Sequence, residues 1–143
     1  MRIIERLIYA VFYPILGAGV GVYFVYTIAN IAKGESPSFE LAVISAVLGG
    51  FALSSGFVRE ASSILKRSIR RVGVLYLGSA IFFTVFTLVI PMAKVETTGA
   101  AYWIVFLTNV ISMFFAIIFF SSATALLIAK LPKLLQEVWA MRD

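Results

Sequence analysis

Asn109 is the strongest polar side chain lying deep in an apolar run, and Thr84, Thr87 and Ser112 accompany it in the runs nearby. Amide and hydroxyl groups hydrogen-bond a passing solute and select it without changing charge. They equally bond the carbonyls of their own helix, and an Asn can bridge two helices for about 1 kcal/mol or less. Two readings therefore stand side by side: a polar path through Thr84, Thr87, Asn109 and Ser112, or ordinary helix contacts.

The second chemically active group is basic. Arg59, Lys66, Arg67, Arg70 and Arg71 crowd one short segment. Around them Phe57, Ala61, Ile64, Leu65, Ile69 and Val72 follow helical spacing, which sets the quartet from Lys66 to Arg71 on the opposing surface. Near an anionic leaflet each such charge is worth roughly 1 kcal/mol. The segment is expected to meet anionic lipid headgroups or an acidic partner, or simply to fix membrane orientation. Either it continues helix 2 or it lies in the interface as a short helix. Near the end of the chain, Leu131, Leu134, Leu135, Val138 and Trp139 repeat at i, i+3, i+4, i+7 and i+8. That spacing predicts an amphipathic helix over about 131–142, with Pro132 in its first turn and Trp139 as interfacial anchor. A helix that docks a partner is the alternative.

Small residues form the third group. Gly17, Gly19 and Gly21 lie in the first run, and Ala46, Gly50 and Ser54 recur at spacing four in the second, beside Ser45-x3-Gly49. In lipid such stripes let helix backbones approach and gain van der Waals contact. They serve an oligomer interface, a narrow pore lining or packing within one subunit.

Other chemistries are missing from the sequence. Without cysteine or histidine there is no disulfide framework and no thiolate or imidazole metal site. No nucleophile–base pair appears, so the chain is not expected to be an enzyme, and no metal or cofactor is expected. No Asp, Glu, Lys or Arg interrupts the four runs 7–32, 41–58, 72–93 and 97–129. Ion-coupled transporters place an ionisable group near the midplane, so that mechanism is disfavoured and no buried charge is expected.

These groups must be positioned by the runs themselves. Hydrophobic residues make up 62% of the chain and charged residues 13%, against about 25% charged in a soluble domain. Each run is near the length that crosses a bilayer core as a helix. The basic residues then sort by side: Arg2, Arg6, Arg59, Lys66, Arg67, Arg70, Arg71, Lys130, Lys133 and Arg142 on one, Lys33 and Lys94 on the other. That asymmetry predicts both termini in the cytoplasm, and it explains the net charge of +5 without nucleic acid. The first run far exceeds the roughly 7–15 residues of a signal-peptide core, so it is expected to be a retained helix.

The expected fold is all-α: one multi-pass domain of the cell membrane over 1–143. Four transmembrane helices at about 4–32, 38–66, 69–92 and 99–130 would form an up-down bundle, followed by the interfacial helix. Ser38 is placed to cap helix 2, and Pro91 to end helix 3. The expected function is non-catalytic helix–helix assembly in the bilayer, as a homo-oligomer or an accessory subunit of a membrane complex. A passive homo-oligomeric channel lined by Ser, Thr and Asn is the alternative.

Overall fold

The computed structural model describes residues 3–54, 62–94 and 99–140. They form four α-helices and one 3-10 turn, with no strand among the described residues. The helices are α1 (Ile3–Ala32), α2 (Glu40–Leu53), α3 (Ser63–Val89) and α4 (Gly99–Ala140), and the turn is Ile90–Lys94. Three segments are long and apolar enough to cross a membrane: Ile3–Ala32, Ser63–Ala93 and Gly99–Ala140. α2 has 14 residues, which at 1.5 Å each is about 21 Å, short of a hydrocarbon core of roughly 30 Å.

Local chemistry sets these boundaries. After α1 the chain reverses through Gly34, whose φ is +95°. Glu35 N–H bonds the Asn30 carbonyl and Gly34 N–H bonds the Ile31 carbonyl, each at 3.0 Å. This is the Schellman closure, and it needs the left-handed residue that glycine supplies. Ser38 stands one place before the helical cap: its hydroxyl accepts from Glu40 N–H at 3.2 Å, while Phe39 is the N-cap residue.

Helix 2 ends far sooner than the sequence suggests. Ser54 takes an extended conformation, and its hydroxyl donates to the Phe51 carbonyl at 2.8 Å. The expected helix over 38–66 is therefore α2 up to Leu53, with residues 63–66 belonging to α3 and 55–61 outside the described residues. Ser62 caps α3, its hydroxyl accepting from Leu65 N–H at 3.4 Å. Serines within or just beyond an apolar run look neutral by composition, yet their side chains compete for backbone groups and so bound helices. At its other end α3 stops at Val89 and tightens into the 3-10 turn that contains Pro91.

α4 departs most from expectation. It continues without a break through Pro132 to Ala140, where a boundary and a separate interfacial helix were expected. Leu134 packs on Leu65 and Ile69 of α3, and this burial holds the helical path past the backbone hydrogen bond that proline removes.

The helices pack in the order α2, α3, α4, α1. Tyr76 meets Thr124 and Phe82 meets Phe115, so α3 and α4 run antiparallel. Leu77 lies against Gly49 and Gly73 against Leu53, which sets α2 antiparallel to α3. Gly49 and Gly73 make that approach possible: a methyl group would stand 2.9 Å from Leu77 Cγ at the first and 2.7 Å from Leu53 Cγ at the second. Val20, Phe24, Ala42, Phe83, Phe86 and Ala116 bring all four helices into one core at the end of the bundle away from Glu5. We call this the apical end. The opposite, basal end holds the starts of α1 and α3 and the end of α4.

Candidate functional site

The described charges that are buried gather at the basal end. Glu5 lies in the first turn of α1 and is 5% exposed. Lys130 Nζ donates to its Oε2 at 2.8 Å, and Lys133 Nζ stands 2.8 Å from its Oε1. Helical spacing of three places both lysines beside the same carboxylate. The side chains of Glu5 and Lys130 are 7% and 9% exposed, while that of Lys133 is 36% exposed. This corrects the expectation of no buried charge. The lysines follow immediately after the longest uncharged run, and by sequence they read as loop charges.

A second contact lies farther along the same extension of α4. Glu137 accepts from Ser62 N–H at 3.1 Å through one carboxylate oxygen and from the Ser62 hydroxyl at 3.0 Å through the other. A carboxylate at the first turn of α3 meets unpaired N–H groups and the positive end of the helix dipole. Both described acids of this end are thereby engaged within the fold.

The helix contact between α1 and α4 follows one ridge of small residues. Gly17 faces Ser121 Oγ, with 3.6 Å from where a methyl group would stand. Ser121, Ala125 and Ala129 are 0%, 0% and 1% exposed. They recur at spacing four, between the Gly17 contact and Lys133, which follows four residues on. This row escaped sequence reading because serine and two alanines in a run rich in Phe and Leu carry little contrast.

The expected site residues fall out as follows. Gly17 enters the α1–α4 contact, while a methyl group added at Gly19 or Gly21 would meet nothing within 4 Å. On α2 the buried stripe is Ala42, Ser45 and Gly49, and Ala46, Gly50 and Ser54 point outward. Ala46 lines an open apolar groove of about 630 Å³ between α2 and α3, with Phe39, Val43, Leu77, Ile81 and Thr84. Thr84 and Thr87 donate to the Ala80 and Phe83 carbonyls of their own helix, each at 2.8 Å. Asn109 and Ser112 are buried on α4, and Asn109 Oδ1 has no protein partner. Lys66, Arg67, Arg70 and Arg71 are exposed on the first turns of α3, opposite buried Leu65, Ile69 and Val72; Arg59 lies outside the described residues. Trp139 is 68% exposed, on a face it shares with Leu131, Leu135 and Val138.

Chemically, this arrangement joins helices. No cluster of three or more His, Cys, Asp or Glu side chains suited to a metal occurs among the described residues. No protein-family model, curated protein or solved structure matches the chain.

Proposed function

We propose that the chain is a non-catalytic integral protein of the cell membrane that works by helix–helix assembly, as a homo-oligomer or as an accessory subunit of a membrane complex. The observation that carries this reading is the outer face of α2. Ala46 and Gly50 are exposed there, nothing stands within 4 Å of a methyl group at Gly50, and Ala46 forms one wall of the open apolar groove. A small-residue face beside an unfilled apolar groove suits close approach by another membrane helix.

In this proposal α2 crosses the bilayer with the three longer helices, in an up-down bundle with both termini in the cytoplasm. Local thinning of the bilayer or oligomerisation accommodates its shorter length. The basal clustering of Arg6, Lys66, Arg67, Arg70, Arg71, Lys130 and Lys133, with Lys33 at the other end of α1, supports that orientation. The exposed basic residues of α3 and the apolar face of Trp139 would meet anionic headgroups of the inner leaflet. No nucleic-acid partner is proposed.

Native mass spectrometry of the protein extracted with its lipids tests the reading. A defined oligomer or a co-extracted membrane subunit is expected, weakened by Gly50→Leu. A monomer with no other chain would contradict it.

A second reading, a passive pore built from several copies, draws on one observation: Asn109 Oδ1, Ser45 Oγ and Ser121 Oγ are buried without protein partners. Such atoms suit ordered water. Solute flux into liposomes that falls with Asn109→Leu would support a pore, and background flux from both proteins would exclude it.

A further inference from the structure

The two halves of α1 are held in different ways. Its inward face carries Glu5, Tyr9, Tyr13, Leu16, Val20, Phe24, Thr27 and Ile31 at helical spacing. The last four are buried, and Phe24 packs on both Phe83 and Phe86 of α3, with ring centroids 5.5 and 4.6 Å apart. Glu5 is buried as well. Between them Tyr9, Tyr13 and Leu16 are only half-buried, although they share the face. The apical half therefore sits in a core drawn from all four helices. The basal half rests on the small-residue ridge of α4 and is fastened at its tip by Glu5.

The join between the halves is built to bend. Pro14 lies inside α1, so the Ala10 carbonyl lacks its usual intrahelical donor. Gly17, Gly19 and Gly21 follow within two turns. Glycine lowers helix stability relative to alanine, which softens this stretch further.

We propose that the basal half of α1 is a hinged arm, latched by Glu5 between Lys130 and Lys133, and that unlatching opens the α1–α4 seam along Ala125 and Ala129. The apical half stays seated while the arm swings about the Pro14–Gly21 stretch. The latch is a charge contact at the end of a weakly packed segment. Whatever neutralises the carboxylate or draws Lys133 away therefore acts on the arm before it acts on the core. Lys133 is the accessible member of the three, and it is the point where an outside group can compete. Opening exposes Ala125 and Ala129, which are 0% and 1% exposed in the latched state.

Because the chain contains no cysteine, spin labels can be placed in pairs on the full protein in liposomes. Arg6→Cys with Gln136→Cys reports the basal seam, and Val25→Cys with Val110→Cys reports the apical one; all four positions are exposed. The latched protein is expected to give narrow distance distributions for both pairs. Glu5→Gln is expected to lengthen and broaden the basal distribution alone. A kink of about 20° on an arm of about 14 Å moves its tip by about 5 Å. Exchanging the charges, Glu5→Lys with Lys130→Glu, is expected to restore the narrow basal distance. An unchanged basal distribution in Glu5→Gln would overturn the latch. Joint broadening of both pairs would overturn the hinge, since α1 would then detach or unfold as one piece. A charge exchange that fails to narrow the basal distance would show that the ion pair does not hold the arm.

Discussion

Glu5 and Lys130 stand 125 residues apart in the chain and 2.8 Å apart in the fold. Their contact closes the first helix onto the last at the basal end. The ammonium and carboxylate are both nearly shut from solvent, so each depends on the other to remain charged. Lys133, at the rim, adds a second cation to the same carboxylate.

The two lysines should therefore differ in worth. Lys130→Met leaves Glu5 with only its exposed partner and is expected to cost about 3 kcal/mol. Lys133→Met removes a solvent-screened partner and is expected to cost under about 1 kcal/mol. Reversible unfolding in mixed detergent micelles measures both. Equal losses would show that burial does not separate the two contacts.

The basal extension of α4 should depend on the start of α3. Ser62→Ala removes a helix cap worth about 1 kcal/mol together with the hydroxyl bond to Glu137. Faster amide exchange is expected at Leu65 and in the stretch from Leu134 to Ala140, with the transmembrane core unaffected. Exchange confined to α3 would mean that Glu137 does not couple the two helices.

Adjacent glycines on α2 should behave in opposite ways. Gly49→Val drives a side chain into Leu77, including its backbone nitrogen at 3.0 Å from the added methyl. A loss of about 1–3 kcal/mol is expected in the monomer. At Gly50 an added methyl meets nothing within 4 Å, so Gly50→Val should leave monomer stability unchanged while weakening association. Measuring unfolding and oligomer content on the same two variants separates these effects. Loss of monomer stability from both would mean that the outer face of α2 is packed.

The hydrogen bond between Tyr76 and Thr124 joins α3 to α4 at 2.8 Å. A double-mutant cycle with Tyr76→Phe and Thr124→Val is expected to give a coupling near 0.6–1 kcal/mol, the usual scale for such bonds between membrane helices. Zero coupling would mean that both hydroxyls find equal partners elsewhere.

How much of this was legible in the sequence depends on the range of each signal. Uninterrupted apolar runs show that the chain is helical and membrane-like, because burial in lipid demands long segments without charge. Pro91 marks the end of α3 because a missing N–H acts locally. Ser54 and Ser62 are local too, yet each has a serine beside it, Ser55 and Ser63, and composition does not say which hydroxyl caps. Pro132 misleads for the opposite reason: Leu134 and Glu137 find distant partners on α3 that keep α4 helical. The Glu5 cluster is wholly long-range. A glutamate in the first turn and two lysines after the last run read as separate loop charges until the fold brings them together. On α2, spacing four fits Ala46–Gly50–Ser54 as well as Ser45–Gly49, and only the position of α3 decides which stripe is buried.

Cross-linking in native membranes tests the assembly account most directly. Gly50→Cys puts a thiol on the outer face of α2, and Gly19→Cys puts one on an exposed face of α1 that also has nothing near it. With a short thiol cross-linker, Gly50→Cys is expected to link two copies of the chain or to capture one defined membrane partner, while Gly19→Cys stays largely monomeric. Equal yields from the two positions, or none from Gly50→Cys, would contradict an assembly face on α2.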